Sequence, residues 1–236
     1  MPSKQIIRTY EATTPIREPV TKFGGQPVWL TEPTWPLSRE TGKPMRFIGQ
    51  FEIREEFGLQ TDARMAYLFM TEDIEEYVDG TYEPDSGENA VILQATPGLT
   101  ASTMKNPAVA TAPNSEGPPL FRMVKVAGEK GLHPELCEFS VDLTQADDVV
   151  FVPDTELFKL SDEESEKLTS VLNENKIGGT PAFLQGDEFP FEDGCQLLLQ
   201  LDSCSVPFSL NFGDSGVGYA FLNASGNDAK FLWQCC

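Results

Sequence analysis

Two stretches of this chain, far apart in the sequence, share one pattern of lysine, glycine, proline and aromatic residues. The first reads Lys22-Phe-Gly-Gly-Gln-Pro-Val-Trp-Leu30, and the second reads Lys176-Ile-Gly-Gly-Thr-Pro-Ala-Phe-Leu184. Continued without a gap, the same register sets Trp35-Pro36 against Phe189-Pro190. Because a pattern that recurs within one chain indicates a duplicated structural unit, this match decides the fold prediction.

Three further blocks recur downstream in the same order. Each block is short, apolar and bounded by polar or turn residues, as buried strands are. Gln50 and Gln200 fall at matched places inside such strands, where a buried amide needs hydrogen-bond partners. We therefore predict an α+β fold whose β-rich core consists of two pseudo-symmetric repeats with a few peripheral helices. The matched blocks are 46–51 with 196–201, 66–70 with 218–222, and 90–94 with 231–234.

The paired glycines of each repeat are predicted to form turns. A Gly-Gly step closely followed by proline provides positive φ and then a restricted, extended segment. We therefore interpret Gly24, Gly25, Gly178 and Gly179 as structural residues. A phosphate-binding loop would instead be followed by a helix and would carry a lysine after the glycines, whereas here an aromatic strand follows.

A second glycine-rich stretch, Gly213-Asp-Ser-Gly-Val-Gly218, contains a serine that resembles a protease nucleophile. That chemistry requires a histidine base oriented by an acid, and the chain has one histidine, His133, outside any such signature. We predict instead a tight turn, with Asp214 and Gly216 as its structural residues, before a strand that begins at Tyr219. No catalytic residue is therefore predicted, and we expect the protein not to be an enzyme.

Metal and cofactor chemistry also has little support in the sequence. The five cysteines form no Cys-x-x-Cys pair. The acids on either side of Phe189-Pro190 lack the spacing of a calcium-binding EF-hand loop, so we expect at most weak cation binding there. We predict neither a metal nor a cofactor. The cysteines are Cys137, Cys195, Cys204, Cys235 and Cys236, and the acids are Asp187, Glu188, Glu192 and Asp193.

The region between the repeats has two parts. Residues 95–119 are rich in proline, alanine, serine and threonine and are predicted to form an extended surface loop. Residues 161–175 are predicted to form a helix, because Ser161 and Glu164 make a capping box. A weaker helical signal covers residues 72–77. The predicted organisation is an N-terminal segment at 1–21 and one domain at 22–236, with repeats at 22–94 and 176–234 joined by a loop and helix region at 95–175.

These motifs together resemble the bacterial YwqG-like proteins, a family known as a domain of unknown function. The resemblance extends from Lys22 to Cys236 and implies an α+β fold with a duplicated, β-rich core and no established activity. Some proteins of this kind look like immunity partners of secreted bacterial toxins. The stretches that carry the resemblance are KFGGQPVWLTEPTWPLSRETGKPMRFIGQFEI (22–53), KIGGTPAFLQGDEFP (176–190), CQLLLQLDS (195–203), NFGDSGVGYAFL (211–222) and AKFLWQCC (229–236).

Acidic residues outnumber basic residues by 37 to 17, which gives a net charge of -20 and an isoelectric point near 4.3. Nucleic acids and anionic membrane surfaces repel such a chain, so neither is an expected partner. The first residues contain no apolar stretch of signal-peptide length, and no later run approaches the ~18 apolar residues of a membrane span. We therefore expect a cytoplasmic protein.

The negative charge is concentrated in residues 72–88, which carry eight acids and no base, and in residues 135–166, which carry eleven acids and Lys159. Such surfaces attract basic proteins, and aromatic side chains among the acids would add affinity. Together with the absence of a catalytic constellation and with what the resemblance implies, this charge leads us to predict an immunity protein that neutralises a basic, nuclease-type toxin by occluding its active site. The predicted partner-binding residues are Glu72, Asp73, Glu75, Glu76, Tyr77, Asp79, Tyr82, Glu83 and Asp85.

Two alternatives remain open at this point. The first is an enzyme or small-ligand-binding protein that uses a pocket between the two repeats, since pockets often form where structural units meet. The second is an acidic surface that serves solubility alone.

Overall fold

A computed structural model of the chain describes residues 1–72, 78–96, 104–157 and 159–236. Within these ranges the fold is mostly β, which confirms the predicted β-rich core, and the helical part is smaller than an α+β fold implies. The helices are a 3₁₀ turn (Glu55–Phe57), α1 (Asp154–Leu157) and α2 (Asp162–Leu172). The strands are β1 (Ser3–Glu11), β2 (Lys22–Gly24), β3 (Trp35–Pro36), β4 (Arg46–Glu52), β5 (Ala63–Met70), β6 (Asn89–Ala95), β7 (Thr111–Ala112), β8 (Phe121–Val124), β9 (His133–Leu136), β10 (Glu138–Asp147), β11 (Lys176–Gly178), β12 (Cys195–Asp202), β13 (Val217–Asn223) and β14 (Ala229–Gln234).

Ten strands form one antiparallel sheet in the order β14-β13-β12-β11-β1-β10-β2-β4-β5-β6. The two edge strands, β6 and β14, approach each other, so the sheet nearly closes on itself. Closure of this kind protects the unpaired backbone groups of edge strands. Two small two-stranded sheets accompany the large sheet, one formed by β3 with β7 and the other by β8 with β9.

Strands β1 and β10 lie at the centre of the sheet and pair from Ser3 opposite Asp147 to Glu11 opposite Phe139. On either side of them stand two sets of four strands in the same order, β2-β4-β5-β6 and β11-β12-β13-β14. The central strands are exchanged between the sets. Strand β1, which precedes the first set in the chain, pairs with β11 of the second set, and β10, which precedes the second set, pairs with β2 of the first.

Strands β1 and β10 are not among the strands predicted from the sequence. Residues 1–21 are predicted there as a separate segment, yet β1 is a central strand, and the region 95–175, predicted as loop and helix, contributes β10. The β10 segment does alternate apolar and polar residues, with Phe139, Val141 and Leu143 turned toward the core. The physical signal for this strand is therefore present in the sequence, in a region dominated by loop composition.

Ser161 caps helix α2 as predicted: its hydroxyl accepts a hydrogen bond from Glu164 N, and the Glu164 carboxylate accepts one from Ser161 N. The helix ends at Leu172, three residues before the predicted end. The weaker helical signal at 72–77 lies almost wholly outside the described residues, which resume at Val78. No helix in the described part of the chain is long and apolar enough to cross a membrane.

The apolar core has one large cluster and two smaller ones. The large cluster draws side chains from both sets of strands, including Phe51, Leu199 and Phe231. Each smaller cluster belongs to one set: the first surrounds Trp35, and the second surrounds Phe221. The two sets therefore share one continuous interior, and each also carries an aromatic cluster of its own.

Candidate functional site

The lysines that open the two Lys-x-Gly-Gly motifs are fully buried. Lys22 Nζ lies 2.5 Å from Glu138 Oε1, and Lys176 Nζ lies 3.0 Å from Asp148 Oδ2. Glu138 is the first residue of β10 and Asp148 directly follows its last, so the two ends of one central strand hold the counter-ions for both motifs. Because a buried charge needs a partner, these lysines fix the turns internally and do not face a ligand.

Asp148 is the most heavily connected of these charged groups. Its carboxylate also accepts a hydrogen bond from Thr180 N at 2.9 Å, and its Oδ1 lies 3.5 Å from Lys4 Nζ. Burial opposes ionisation of Asp148, but the hydrogen bonds from Thr180 N and Lys176 and the charge of Lys176 outweigh it and lower the pKa of the carboxyl below its ordinary value. The second motif is therefore tied to the linker after β10 by an ionised, buried acid.

All four motif glycines adopt positive φ: 70° at Gly24, 62° at Gly25, 71° at Gly178 and 80° at Gly179. Side chains are disfavoured in this conformation, which is why glycine occupies each position. After these turns, the Pro-containing segments pack on the sheet, where Trp29 contacts the Tyr67 ring of β5 and Phe183 contacts the Tyr219 ring of β13.

The predicted turn before Tyr219 is a bend at residues 213–215 in which Ser215 has a φ of 52°. The carbonyl oxygen of Asp214 accepts a hydrogen bond from Cys236 N at 3.0 Å. A Cβ added at Gly216 would overlap the Phe212 carbonyl oxygen at 1.8 Å. The turn thus closes against the C-terminal residues, and its glycine is required by close backbone packing.

Four buried glutamines hold the segments that follow the glycine turns. Each uses its side-chain oxygen as an acceptor for backbone N–H groups of those segments, which no strand would otherwise satisfy. The contacts are Gln50 with Val28 N at 2.7 Å, Gln200 with Ala182 N at 2.9 Å, Gln94 with Leu30 N at 2.9 Å and Thr31 N at 3.1 Å, and Gln234 with Leu184 N at 2.8 Å and Gln185 N at 3.0 Å.

The glutamines position an aromatic cluster on each set of strands. In the first cluster, Trp35 meets Phe69 edge-to-face, with ring centroids 5.1 Å apart and an interplanar angle of 67°. In the second, Phe189 meets Phe221 at 5.7 Å and 68°. Such edge-to-face pairs are favourable beyond their buried area. The rings that pack beside them are Trp29 and Tyr67 in the first cluster and Phe183 and Tyr219 in the second.

Residues 109–119, which we call the covering segment, lie over the first cluster. Strand β7 within it pairs with β3, so that Trp35 faces Ala112. Gly117 sits on the indole, where a Cβ would approach Trp35 Cζ2 to 2.6 Å, and the Gln26 amide bonds to both the N–H and the carbonyl of Gly117. Three further hydrogen bonds join Phe47 N to Pro118 O at 3.0 Å, Arg46 Nη1 to Pro119 O at 2.5 Å, and Trp29 Nε1 to Ser115 O at 3.3 Å.

The second cluster is open. Trp35 is fully buried, whereas Phe189 is 43% exposed, and Phe189-Pro190 belongs to no strand. A cleft of about 560 Å³ runs beside it, which we call the aromatic cleft. One wall comes from the second set of strands and the other from the chain start and the 3₁₀ turn. The lining includes Ser3, Phe57, Leu59, Phe151, Thr180, Phe189, Gln196, Leu197 and Phe221.

The lining of the aromatic cleft is mostly apolar. Cys195 is the sole titratable side chain among its described lining residues, and burial raises the pKa of this thiol above its ordinary value. An activated thiol requires a lowered pKa. In the described part of the chain, no three His, Cys, Asp or Glu residues are grouped to hold a metal ion.

A second surface surrounds Tyr82, in residues 78–88, which we call the acidic loop. Its backbone carbonyl accepts a hydrogen bond from Trp233 N at 3.3 Å, and its ring meets Trp233 edge-to-face at 5.7 Å. Tyr82 is 42% exposed, and Glu83 and Asp85 beside it are exposed. The acidic loop is therefore fixed along edge strand β14, with Tyr82, Glu83 and Asp85 turned outward.

Two acids of the predicted acidic stretch at residues 72–88, Glu72 and Glu88, face inward. The Glu72 carboxylate lies 3.1 Å from Arg46 Nε, and burial raises its pKa. Glu88 is 3% exposed and accepts a hydrogen bond from the Thr71 hydroxyl. Asp79 is exposed and bonds to Gly80 N. The predicted binding residues Asp73, Glu75, Glu76 and Tyr77 lie outside the described residues.

Sequence reasoning did not identify the aromatic cleft. The signal for it was the aligned pair Trp35 and Phe189, which share a position in the repeat pattern but differ in what covers them.

No curated protein gives a significant match to the chain. A family model described as "Domain of unknown function (DUF1963)" matches residues 21–230. The chain therefore belongs to the DUF1963 family, a domain of unknown function.

Proposed function

We propose that this protein binds a basic protein through its acidic loop, and that it acts as an immunity protein that blocks a nuclease-type toxin. The observation that carries the proposal is the presentation of Tyr82 on a fixed loop between exposed acids. A protein that grips nucleic acid exposes lysine and arginine around its active site. An acidic, aromatic surface is complementary to such a site.

The rigidity of the acidic loop supports this proposal. Ser86 Oγ donates to the carbonyl of Gly80 at 2.6 Å, and the Asn89 amide donates to the carbonyls of Thr81 and Glu83. A loop held in this way loses little conformational freedom on binding, so more of the contact energy remains as affinity. Hot-spot residues are typically aromatic side chains with this kind of support.

The charge of the surroundings supports a kinetic role. The net charge of -20 attracts a cationic partner over several ångströms, and the exposed acids of the loop would orient it. Exposed charges contribute mainly to association rate and salt dependence, and the aromatic anchor contributes mainly to lifetime. The proposal thus assigns Asp79 and Glu83 to association and Tyr82 to retention.

The test first searches the genes next to that of this chain for a basic toxin domain, and then measures association of that candidate domain by surface plasmon resonance at several salt concentrations. Combined substitution of Asp79→Asn and Glu83→Gln is expected to slow association about threefold to tenfold at low salt and to flatten the salt dependence. Tyr82→Ala is expected to weaken binding by ~1 kcal/mol or more through faster dissociation.

A matched control removes the same charge from helix α2, by Glu163→Gln and Glu166→Gln, both exposed. This control is expected to leave association within about twofold of the unmodified protein. Equal effects of the two pairs would show that only the global charge matters, and a toxin domain that does not bind at all would sink the proposal.

We further propose that the two sets of strands are pseudo-symmetric repeats of a duplicated unit, and that the chain is a YwqG-like member of its family. The shared strand order, the glutamine contacts and the paired aromatic geometry support the duplication. Its test is stability: truncating Gln50 and Gln200 to alanine, one at a time, should cost similar free energies of about 2 kcal/mol in urea unfolding.

A second candidate function is small-ligand binding in the aromatic cleft, which is favoured by its volume of about 560 Å³ and by walls drawn from both halves of the fold. A metabolite that copurifies with the protein and is detected by mass spectrometry after denaturation would support this function over protein binding.

A further inference from the structure

The covering segment shows what kind of ligand an aromatic cluster of this fold accepts. It is an extended stretch that reads Val109-Ala-Thr-Ala-Pro-Asn-Ser-Glu-Gly-Pro-Pro119. It pairs with β3 by backbone hydrogen bonding and places a glycine flat on the Trp35 ring. Small residues and proline allow this close approach, since any side chain at Gly117 would collide with the indole.

The aromatic cleft occupies the matched place on the second set of strands. Four of the positions that contact the covering segment in the first set are Gln26, Trp35, Arg46 and Phe47. In the sequence alignment their counterparts are Thr180, Phe189, Gln196 and Leu197, and all four line the aromatic cleft. The platform that holds a peptide in the first set is thus present, and open to solvent, in the second.

The other wall of the cleft is also apolar. Phe57 and Leu59 line it together with Phe189 and Leu197. Phe151 touches the Phe189 ring edge-to-face at 5.3 Å and leaves that ring 43% exposed. An extended chain lying in the cleft would therefore be contacted on both sides, as in β-strand addition to a sheet.

Acidic residues flank the Phe189-Pro190 step in the sequence. Asp187, Glu188, Glu192 and Asp193 are exposed, although Glu188 accepts a hydrogen bond from the Gln234 amide and Asp187 accepts one from Asp154 N. Lys230 joins this stretch to the acidic loop, because its Nζ lies 2.7 Å from Asp85 Oδ2 and 3.4 Å from the carbonyl oxygen of Pro190. A cationic segment is therefore the chemically complementary occupant.

We propose that the aromatic cleft binds an extended, cationic peptide segment rich in small residues and proline, supplied by the protein partner, in the way that the covering segment binds the first cluster. The proposal rests on the proposed function for the identity of the partner as a basic protein. The peptide would lie along Phe189-Pro190, pair with its backbone and place a small residue on the Phe189 ring.

The experiment measures fluorescence anisotropy of a labelled peptide with the sequence of residues 107–120, Pro-Ala-Val-Ala-Thr-Ala-Pro-Asn-Ser-Glu-Gly-Pro-Pro-Leu, flanked by two lysines at each end. The full chain is titrated into it. The lysine-flanked peptide is expected to bind about tenfold more tightly than the unflanked peptide at low salt, and this advantage should disappear at high salt.

Variants locate the binding site. Phe189→Asp is expected to weaken binding of the lysine-flanked peptide about tenfold or more. Leu136→Asp is the control, because Leu136 is an apolar side chain on β9 that is 69% exposed. This variant is expected to bind the peptide with an affinity within about twofold of that of the unmodified protein. Phe189→Trp installs the aromatic residue of the first cluster and should retain binding. Its added indole should also shift its emission when peptide is bound, which keeps the test valid if Phe189→Asp fails to fold.

Three outcomes would overturn the proposal: no binding of the lysine-flanked peptide at millimolar concentration, equal affinity of the Phe189→Asp and Leu136→Asp variants, or displacement of the peptide by a copurified small molecule. Peptide binding that persists while the toxin experiment fails would remove the proposed function and leave the cleft as a peptide site. Toxin binding that is unchanged by Phe189→Asp would remove the peptide site in the cleft and leave the proposed function in place.

Discussion

Alanine at Gly24 should be far more damaging than alanine at Gly178, although the two glycines occupy matched places in the sequence pattern. Their φ angles are nearly the same, 70° and 71°. A Cβ at Gly24 would lie 2.2 Å from the carbonyl oxygen of Cys137, whereas at Gly178 the nearest atom, the carbonyl oxygen of Ser3, is 3.5 Å away. One position therefore adds a steric collision to a conformational cost that both share.

The magnitude follows from these two contributions. Alanine in the left-handed region costs ~1–2 kcal/mol at either position. Carbon–oxygen contacts are ordinarily ~3.3 Å or longer, so the backbone at Gly24 must move by ~1 Å. That movement separates β2 from β10 and strains the hydrogen bond from Gly25 N to Cys137 O, at 3.1 Å. Overpacking of this kind adds ~1–3 kcal/mol.

The assay is urea unfolding followed by tryptophan fluorescence, with the free energy of unfolding compared at constant slope. We expect Gly24→Ala to lose about 3 kcal/mol and Gly178→Ala about 1 kcal/mol. Gly42→Ala is a matched control, because Gly42 has a φ of 68° and nothing within 4 Å of its added Cβ. Equal losses at Gly24 and Gly178 would refute the steric argument, and no loss at Gly42 would refute the conformational one.

Two further predictions concern titratable groups. Because the folded pKa of Asp148 lies below its unfolded value of about 3.9, its stabilisation is present above pH ~4 and is lost as the pH falls through the folded pKa. Asp148→Asn should therefore cost about 3 kcal/mol at pH 7 in urea unfolding, and the difference from the unmodified protein should shrink at pH ~3; a gap that does not change with pH would contradict the ion pairing. Burial raises the pKa of Cys137 to about 11, so at pH ~8 this thiol should react with iodoacetamide far more slowly than the exposed Cys204 and Cys236, as read by peptide mass spectrometry; equal rates would show that β10 opens readily.

Much of the local structure follows from sequence alone. The Gly-Gly-x-Pro pattern predicts positive φ because few other residues tolerate that conformation, and all four motif glycines adopt it. The capping box at Ser161 predicts the start of helix α2 because its hydrogen bonds form between residues close in the chain. The apolar blocks with central glutamines predict strands because their periodicity and flanking turns are local signals. These features need no knowledge of the rest of the fold.

The arrangement of the strands was decided by tertiary structure. No local signal indicates that β1 pairs with β11 and β10 with β2, because such pairings join residues far apart in the chain and depend on which partners are free when the sheet assembles. The counter-ions of Lys22 and Lys176 were hidden for the same reason. In the sequence, Glu138 and Asp148 belong to a stretch of acids that would be expected in solvent. In the structure, both side chains are largely buried and pair with the two lysines.

The candidate sites divide along the same line. Sequence identified Tyr82 among acids, since charge density and aromatic residues can be counted along a chain. The sequence pattern also aligned Trp35 with Phe189, but it contained no sign that one of the two side chains would be buried and the other exposed. Only the fold shows that residues 109–119 cover Trp35 and leave Phe189 exposed beside a cleft. The exposure of a side chain depends on which residues pack against it. Here those residues belong to a segment distant in the chain, and the sequence of that segment does not indicate where it will pack.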